Sequence, residues 1–232
     1  MQILFEDYYL LAIHKPAGLS SERGSSAHPS AETDALLYFT QQLQRASSSK
    51  RLKATPYLRA VHRIDRPTSG VLLFAKTKMA LTELMAQFEQ RTVQKIYHAW
   101  VERPPASPEG SLRNWLAKDE SGKKALVKER EGRGTQNAEL SYRTLETDKS
   151  GALLEIIPAT GRFHQIRAQL AHIGCPIAGD VLYGAKPWNP NEIKLHAHRL
   201  QFRHPKSGEP VTIECPAPWN LPEIVAPGND IP

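Results

Sequence analysis

Five consecutive apolar residues, Val71-Leu72-Leu73-Phe74-Ala75, constrain this 232-residue chain more than any other stretch. The run has strand length, and a strand apolar at every position needs cover on both faces, so it predicts a centrally buried strand. Leu81, Leu84, Met85 and Phe88 follow at i, i+3, i+4, i+7 spacing and predict a helix. Val93, Lys95, Tyr97, Ala99 and Val101 then share one face of a strand, with Ile96 and Trp100 on the other. Residues 138–145, 153–157 and 195–200 read as further strands. Upstream, Ile3, Leu4, Tyr8, Leu10, Leu11 and Ile13 lead a strand or hairpin to Lys15-Pro16-Ala17-Gly18, where Pro second and Gly fourth suit a type I turn. Leu36, Phe39 and Leu43 predict a helix behind Ser30 and Glu32 as capping residues, inside a basic, flexible excursion over 19–60. Phe163, Ile166, Leu170 and Ile173 predict another helix, ended by Gly174. Residues 103–135 read as a polar surface insertion with some strand or hairpin character. The expected fold is α+β, with one large, mainly antiparallel or mixed central sheet and flanking helices and loops. No repeat or interdomain linker interrupts it, so residues 1–232 are expected to form a single domain with its core over about 3–215.

The formal net charge of +6 leans towards an acidic partner. Cys175 and Cys215 lie far apart with no C-x-x-C spacing, which argues against a disulfide framework or zinc ribbon and fits a reducing compartment. The start of the chain is acidic at Glu6 and Asp7 where a signal peptide would be basic, and no apolar run is long enough to span a bilayer. The expectation is a soluble, cytoplasmic protein.

Charge is distributed unevenly. From Arg45 to Arg66 the charged residues are Arg45, Lys50, Arg51, Lys53, Arg59, Arg63, Asp65 and Arg66, and Asp65 is the only acid. Positive neighbours favour the charged form of a carboxylate and attract a polyanion, which makes Asp65 a candidate nucleophile or general base. On local charge alone, an ion pair between Asp65 and a flanking arginine explains the pattern as well. A second basic segment, Thr160-Gly161-Arg162-Phe163-His164-Gln165-Ile166-Arg167, places Arg162 and Arg167 near a predicted helix start with no acid between Glu155 and Asp180.

In order along the chain, these segments resemble the RluA-type family of RNA pseudouridine synthases. The resemblance is carried by Lys15-Pro16-Ala17-Gly18, by His62-Arg63-Ile64-Asp65-Arg66-Pro67-Thr68-Ser69-Gly70 with Ile where Leu is usual, and by Lys95-Ile96-Tyr97. It continues through the run from Thr160 to Arg167, Gly174-Cys175-Pro176-Ile177-Ala178-Gly179-Asp180 and Leu195-His196-Ala197. It implies isomerisation of uridine to pseudouridine in tRNA or large-subunit rRNA, without cofactor or metal, because the reaction is neither redox nor a net hydrolysis. Asp65 would be the catalytic carboxylate, Tyr97 would stack on the target uracil, and Arg167 would pair with Asp65. Arg63 would fill the stack vacated by a flipped nucleotide, and Lys95 and Leu195 would line the pocket. Arg66 and Arg162 complete the expected substrate contacts. Arg66-Pro67-Thr68-Ser69-Gly70 leans towards the tRNA-acting, C-type relatives.

Each assignment has a structural rival. Tyr97 also reads as a core tyrosine, Arg167 as a residue snorkelling over apolar surface, and Arg162 as a solvated charge. His62 reads as structural. His164, His172, His196, His198 and His204 lack the carboxylate or cysteine partners that a metal site would want. Trp188 suits either base stacking or loop packing. RNA is the expected partner, with no membrane and no obligatory protein partner. Two other classes compete: an RNA-binding assembly factor without turnover, and a metal-dependent nuclease, which would gather more carboxylates than this basic window holds.

Overall fold

The computed structural model describes residues 1–24, 29–46 and 56–219. Lys50, Arg51 and Lys53 of the basic excursion, with the adjoining loop over 47–49, lie outside the described residues. The described strands form one 11-stranded sheet. In chain order they are β1 (Gln2–Glu6), β2 (Leu10–Lys15), β3 (Arg59–Ala60), β4 (Ser69–Ala75), β5 (Gln94–Val101), β6 (Glu109–Lys118), β7 (Ala125–Lys128), β8 (Gln136–Asp148), β9 (Gly151–Pro158), β10 (Leu195–Arg203) and β11 (Pro210–Glu214). The order across the sheet is β1-β2-β4-β10-β5-β9-β8-β6-β7, with β3 on β4 and β11 on β10. Only β4 and β10 pair in parallel. The expected mainly antiparallel, mixed sheet is what forms.

The apolar run falls in β4, buried at every position. Leu72 and Phe74 pack with Leu11, Ile13, Ala31 and Ala35 beneath helix α1 (Ala31–Ala46). Val71, Leu73 and Ala75 pack with Leu10, Ala12, Ala80 and Leu84 beneath helix α2 (Lys78–Glu89). Cover on both faces explains why the run has no polar alternation. Helix α3 (Gln165–His172) lays Ile166 and Leu170 against Ala99, Val101, Leu154 and Ile156.

Five expectations change, some only in part. Part of the 19–60 excursion is core, because α1 buries Ala31 and Ala35 and Leu58 is almost fully enclosed. Ser30 does cap α1, accepting from Thr33 N at 3.2 Å, but Glu32 turns inward to take Arg23 N and Arg59 instead of capping. The 103–135 stretch is the sheet's outer hairpin, β6 and β7, anchored through Leu116 and Ala125. Phe163 precedes α3, since His164 breaks the helical path at φ 51°. Gly174 does end that helix, at φ 79°. After Lys15 the turn centres on Ala17 and Gly18, with Gly18 at φ 82°, one residue later than a type I reading has it.

Register across the sheet aligns one lateral row: Lys15 opposes Gly70, Gly70 opposes Ala197, Ala197 opposes Tyr97, and Tyr97 opposes Ile156. Gly70 has φ 118°, and a Cβ there would sit 2.3 Å from the Ala197 carbonyl oxygen. Only glycine lets β4 and β10 meet, which explains the residue ending the Asp65 motif. Gly70→Ala is therefore expected to lower stability by at least about 2–3 kcal/mol, or to prevent folding, as read from the thermal midpoint and soluble yield.

His98 and His196 are buried on neighbouring strands. Ser69 Oγ stands 2.8 Å from His196 Nδ1, and the Cys215 carbonyl is 2.9 Å from Nε2, so the neutral ring satisfies both contacts. Burial pulls His196 down to about 3; burial and then the stacked His198 pull His98 down to about 4. The unfolded chain binds these protons near pH 6.5 and the folded chain does not, so stability rises with pH through that interval. Acidifying from pH 6.5 to 4 should cost up to about 1.4 kcal/mol per pH unit for each histidine, visible as a falling denaturation midpoint.

Candidate active site

The Asp65 loop enters β4 from a segment tied down at several points. Ile64 N donates to Ser21 Oγ at 3.0 Å, and that hydroxyl donates to the Ile64 carbonyl at 2.7 Å. Thr68 N closes a turn onto the Asp65 carbonyl at 3.0 Å. Gly18 N donates to the Arg66 carbonyl at 2.8 Å. Lys15 is fully enclosed and donates through Nζ to the carbonyls of Pro16, Leu19 and Arg66, at 3.0, 2.7 and 3.3 Å. Burial pulls its ammonium down to about 7, against the opposing pull of Asp65. The Lys15-Pro16-Ala17-Gly18 element is thus the floor on which the Asp65 loop rests.

Asp65 opens into a cleft of about 540 Å³. Of the residues singled out from sequence, Arg63, Asp65, Lys95, Tyr97, Arg162, Arg167 and Leu195 all line this cleft. Arg66 does not: it is exposed and its Nε holds the Gly18 carbonyl at 2.9 Å. Arg63 is also exposed, 3.9 Å from Glu22. The flanking arginines therefore leave Asp65 alone. Its partner is Arg167, whose Nη1 donates to Asp65 Oδ2 at 3.2 Å from 102 residues away. Among the described residues Oδ1 has no hydrogen-bond partner, so one carboxylate oxygen is held and the other faces the cleft.

Arg167 is only 4% exposed and does not snorkel. Its other side is fixed by Asp180, with Nε to Oδ2 at 2.7 Å and Nη2 to Oδ1 at 2.9 Å, a bidentate pair that sets the guanidinium plane. Its guanidinium carbon also lies 5.1 Å from the Tyr183 ring centroid. Arg167 is therefore not unopposed, since the acid that bounds its stretch of sequence folds back onto it. Asp180 was legible as the one carboxylate in Gly179-Asp180-Val181-Leu182-Tyr183-Gly184, but nothing in the sequence pointed it at Arg167.

Tyr97 stands on β5 in the lateral row described above and presents its ring to the cleft. The surrounding protein, then the Asp65 charge, push its phenol well above the ordinary range, so it remains protonated. His62 accepts from Leu73 N through Nε2 at 3.2 Å and stacks on Phe88, as a structural residue would. Arg162 donates from Nε to the Asn137 carbonyl at 3.0 Å, at the rim. Trp188 is 48% exposed, with Lys194 Nζ 5.0 Å from its ring centroid. His196 and His198 both meet the Cys215 carbonyl, and His204 meets Asp7. Phe163, expected on a helix face, and His164, weighed as a metal ligand, also line the cleft with ring centroids 3.8 Å apart, and Lys118 lines it without having been singled out.

A carboxylate with one oxygen clamped and one presented, beside an aromatic face and a basic rim, suits covalent or acid–base chemistry on a planar, anionic polymer unit. Comparison with known proteins points the same way. A family model described as RNA pseudouridylate synthase matches residues 9–172. The chain is 33% identical over 236 residues to ribosomal large subunit pseudouridine synthase C of Vibrio cholerae, covering 96% of this chain and 68% of that one. It is 31% identical over 238 residues to tRNA pseudouridine synthase C of the same organism, covering 93% and 90%. Among solved structures, human RNA pseudouridylate synthase domain containing 4 superposes with a TM-score of 0.74 at 27% identity, covering 94% of this chain and 88% of that one.

Proposed function

Since the chain belongs to the RNA pseudouridylate synthase family, we propose that it isomerises a uridine in tRNA or large-subunit rRNA at the Asp65 cleft. The reaction breaks the bond from N1 of the base to C1′, turns the base and joins C5 to the same C1′. The proton leaving C5 is replaced by one on N1, so atoms balance without a co-reactant. The observation that carries the reading is the held-and-presented carboxylate: Asp65 gives Oδ2 to Arg167 and leaves Oδ1 towards the cleft.

The roles follow from position. Asp65 acts at the glycosidic bond. Arg167 aims it and neutralises part of its charge. Tyr97, whose phenol is pushed upward by burial and then by Asp65, stacks on the uracil. Leu195 packs against the base edge and Lys95 lies beside it. Arg63, exposed at the mouth of the cleft with only a long contact to Glu22, inserts where the nucleotide leaves its stack, offsetting a flipping cost of a few kcal/mol. Arg162 at the rim of the cleft and Arg66 outside it meet the RNA backbone. We read the whole chain as one catalytic domain working in the cytoplasm. Among the described residues no helix is long and apolar enough to cross a membrane.

The experiment is tritium release from RNA labelled at uracil C5, run with tRNA and ribosomal RNA pools from cells lacking the enzyme. Release by the wild type is expected in excess EDTA as in its absence. Release that stops on chelation would return the argument to metal chemistry. No release from either pool would favour a binding protein that keeps the fold.

A further inference from the structure

His164 sits in the cleft and has no part in the roles above. It occupies the left-handed region at φ 51°, uncommon for a residue other than glycine, and its side chain is 12% exposed. Nε2 lies 3.8 Å from Asp65 Oδ2, and Nδ1 lies 3.1 Å from the Tyr183 hydroxyl.

The tautomer follows from counting hydrogens. Tyr183 is buried, and its oxygen accepts from Ala125 N at 2.8 Å. Its own hydroxyl hydrogen then needs an acceptor, and His164 Nδ1 is the one within reach among the described residues. Nδ1 accepting leaves the ring hydrogen on Nε2, on the side that faces Asp65. Burial lowers the imidazole pKa, with Asp65 pulling it up and Arg167 pushing it down, so the ring is neutral near pH 7. At 3.8 Å the contact is longer than a hydrogen bond, and catalytic contacts of this kind are often long until the substrate complex forms.

Both neighbours of Asp65 Oδ2 are held by one structural unit. The short 3₁₀ turn Val181–Tyr183, preceded by Asp180, fixes Arg167 through Asp180 and His164 through Tyr183. From this closed arrangement we propose that His164 is a positioning residue for Asp65, its Nε2–H joining Arg167 on Oδ2 so that Oδ1 is the oxygen offered to the nucleotide. The inference rests on the isomerase reading and adds a residue to it. The left-handed backbone at His164 is a conformation that the surrounding contacts must hold in place.

The test is steady-state tritium release by the wild type, His164→Asn, His164→Gln, Tyr183→Phe and the double variant His164→Asn/Tyr183→Phe. Asparagine tolerates the left-handed backbone but is too short to reach Oδ2, so kcat should fall by about 10- to 100-fold with KM and the thermal midpoint unchanged. Glutamine, which reaches and donates, should recover part of kcat. The double variant should be no slower than His164→Asn, because both changes act through one chain of contacts. Nitrogen-15 shifts of His164 should report the Nε2–H tautomer, and a shift to Nδ1–H in Tyr183→Phe. Undiminished kcat in His164→Asn, losses that multiply in the double variant, or an Nδ1–H tautomer in the wild type would each overturn the proposal. No release by the wild type itself would sink the isomerase reading instead, and the nitrogen-15 tautomer would still decide the geometry.

Discussion

Asp65→Asn is expected to abolish detectable uridine isomerisation while leaving RNA affinity within about twofold. The substitution keeps the shape of the side chain and an oxygen for Arg167 Nη1, whose contact with Oδ2 is 3.2 Å. It removes the charge and the nucleophilic or basic character of the oxygen facing the cleft. Affinity should survive because phosphate contacts dominate RNA binding, and the basic groups at the rim, Arg63 and Arg162, are untouched. Tritium release beside a filter-binding titration reads both quantities on one preparation. A parallel collapse of affinity would mean that Asp65 holds the RNA instead of acting on it.

The second large effect falls on a residue that never contacts substrate. Asp180→Ala should lower stability by about 3–5 kcal/mol, a drop of roughly 6–20 °C in the melting midpoint, because it strands a buried guanidinium. Asp180 is 1% exposed and makes both of the short bonds to Arg167. Asp180→Asn keeps one acceptor and should be milder in stability but still slow, since Arg167 loses the bidentate partner that sets its plane. Thermal denaturation and kcat measured together separate the two effects. A variant that melts like the wild type and turns over normally would show that Arg167 is oriented by Asp65 alone.

Much of this site was legible in the sequence because its chemistry is local. Asp65 stood out as the lone acid in a basic window, and Gly70 as the glycine that ends its motif, five residues on. The order of short motifs brought Tyr97, Arg167 and Leu195 to the same cleft before any coordinates did. The strand of continuous apolar residues was legible for a related reason, since burial on both faces is written residue by residue. Apart from the Asp65–Arg167 pair, which the family resemblance implies, the contacts that escaped join residues far apart in the chain or turn a local reading inward. Lys15 reads only as the first residue of a turn, yet it is fully enclosed and bonded to carbonyls from two loops. Glu32 reads as a helix cap, yet turns inward to Arg23 and Arg59.

The sequence by itself marked most of the longer strands, the central one among them, and singled out Asp65 as the candidate catalytic carboxylate. Periodicity and local charge are properties of neighbours, and neighbours are given by the chain. Local charge alone left the flanking arginines in play beside Arg167, the partner that the family resemblance implies, and the tertiary structure decides between them. The arginines adjacent to Asp65 point away to Gly18 and towards Glu22, and the role passes to Arg167, 102 residues on. The physical reason is that ion pairing is settled by distance and desolvation, not by position in the chain. At the surface Arg63 gains little from a nearby carboxylate, whereas Arg167, enclosed by α3 and the 3₁₀ turn, needs both Asp180 and Asp65 to be buried at all.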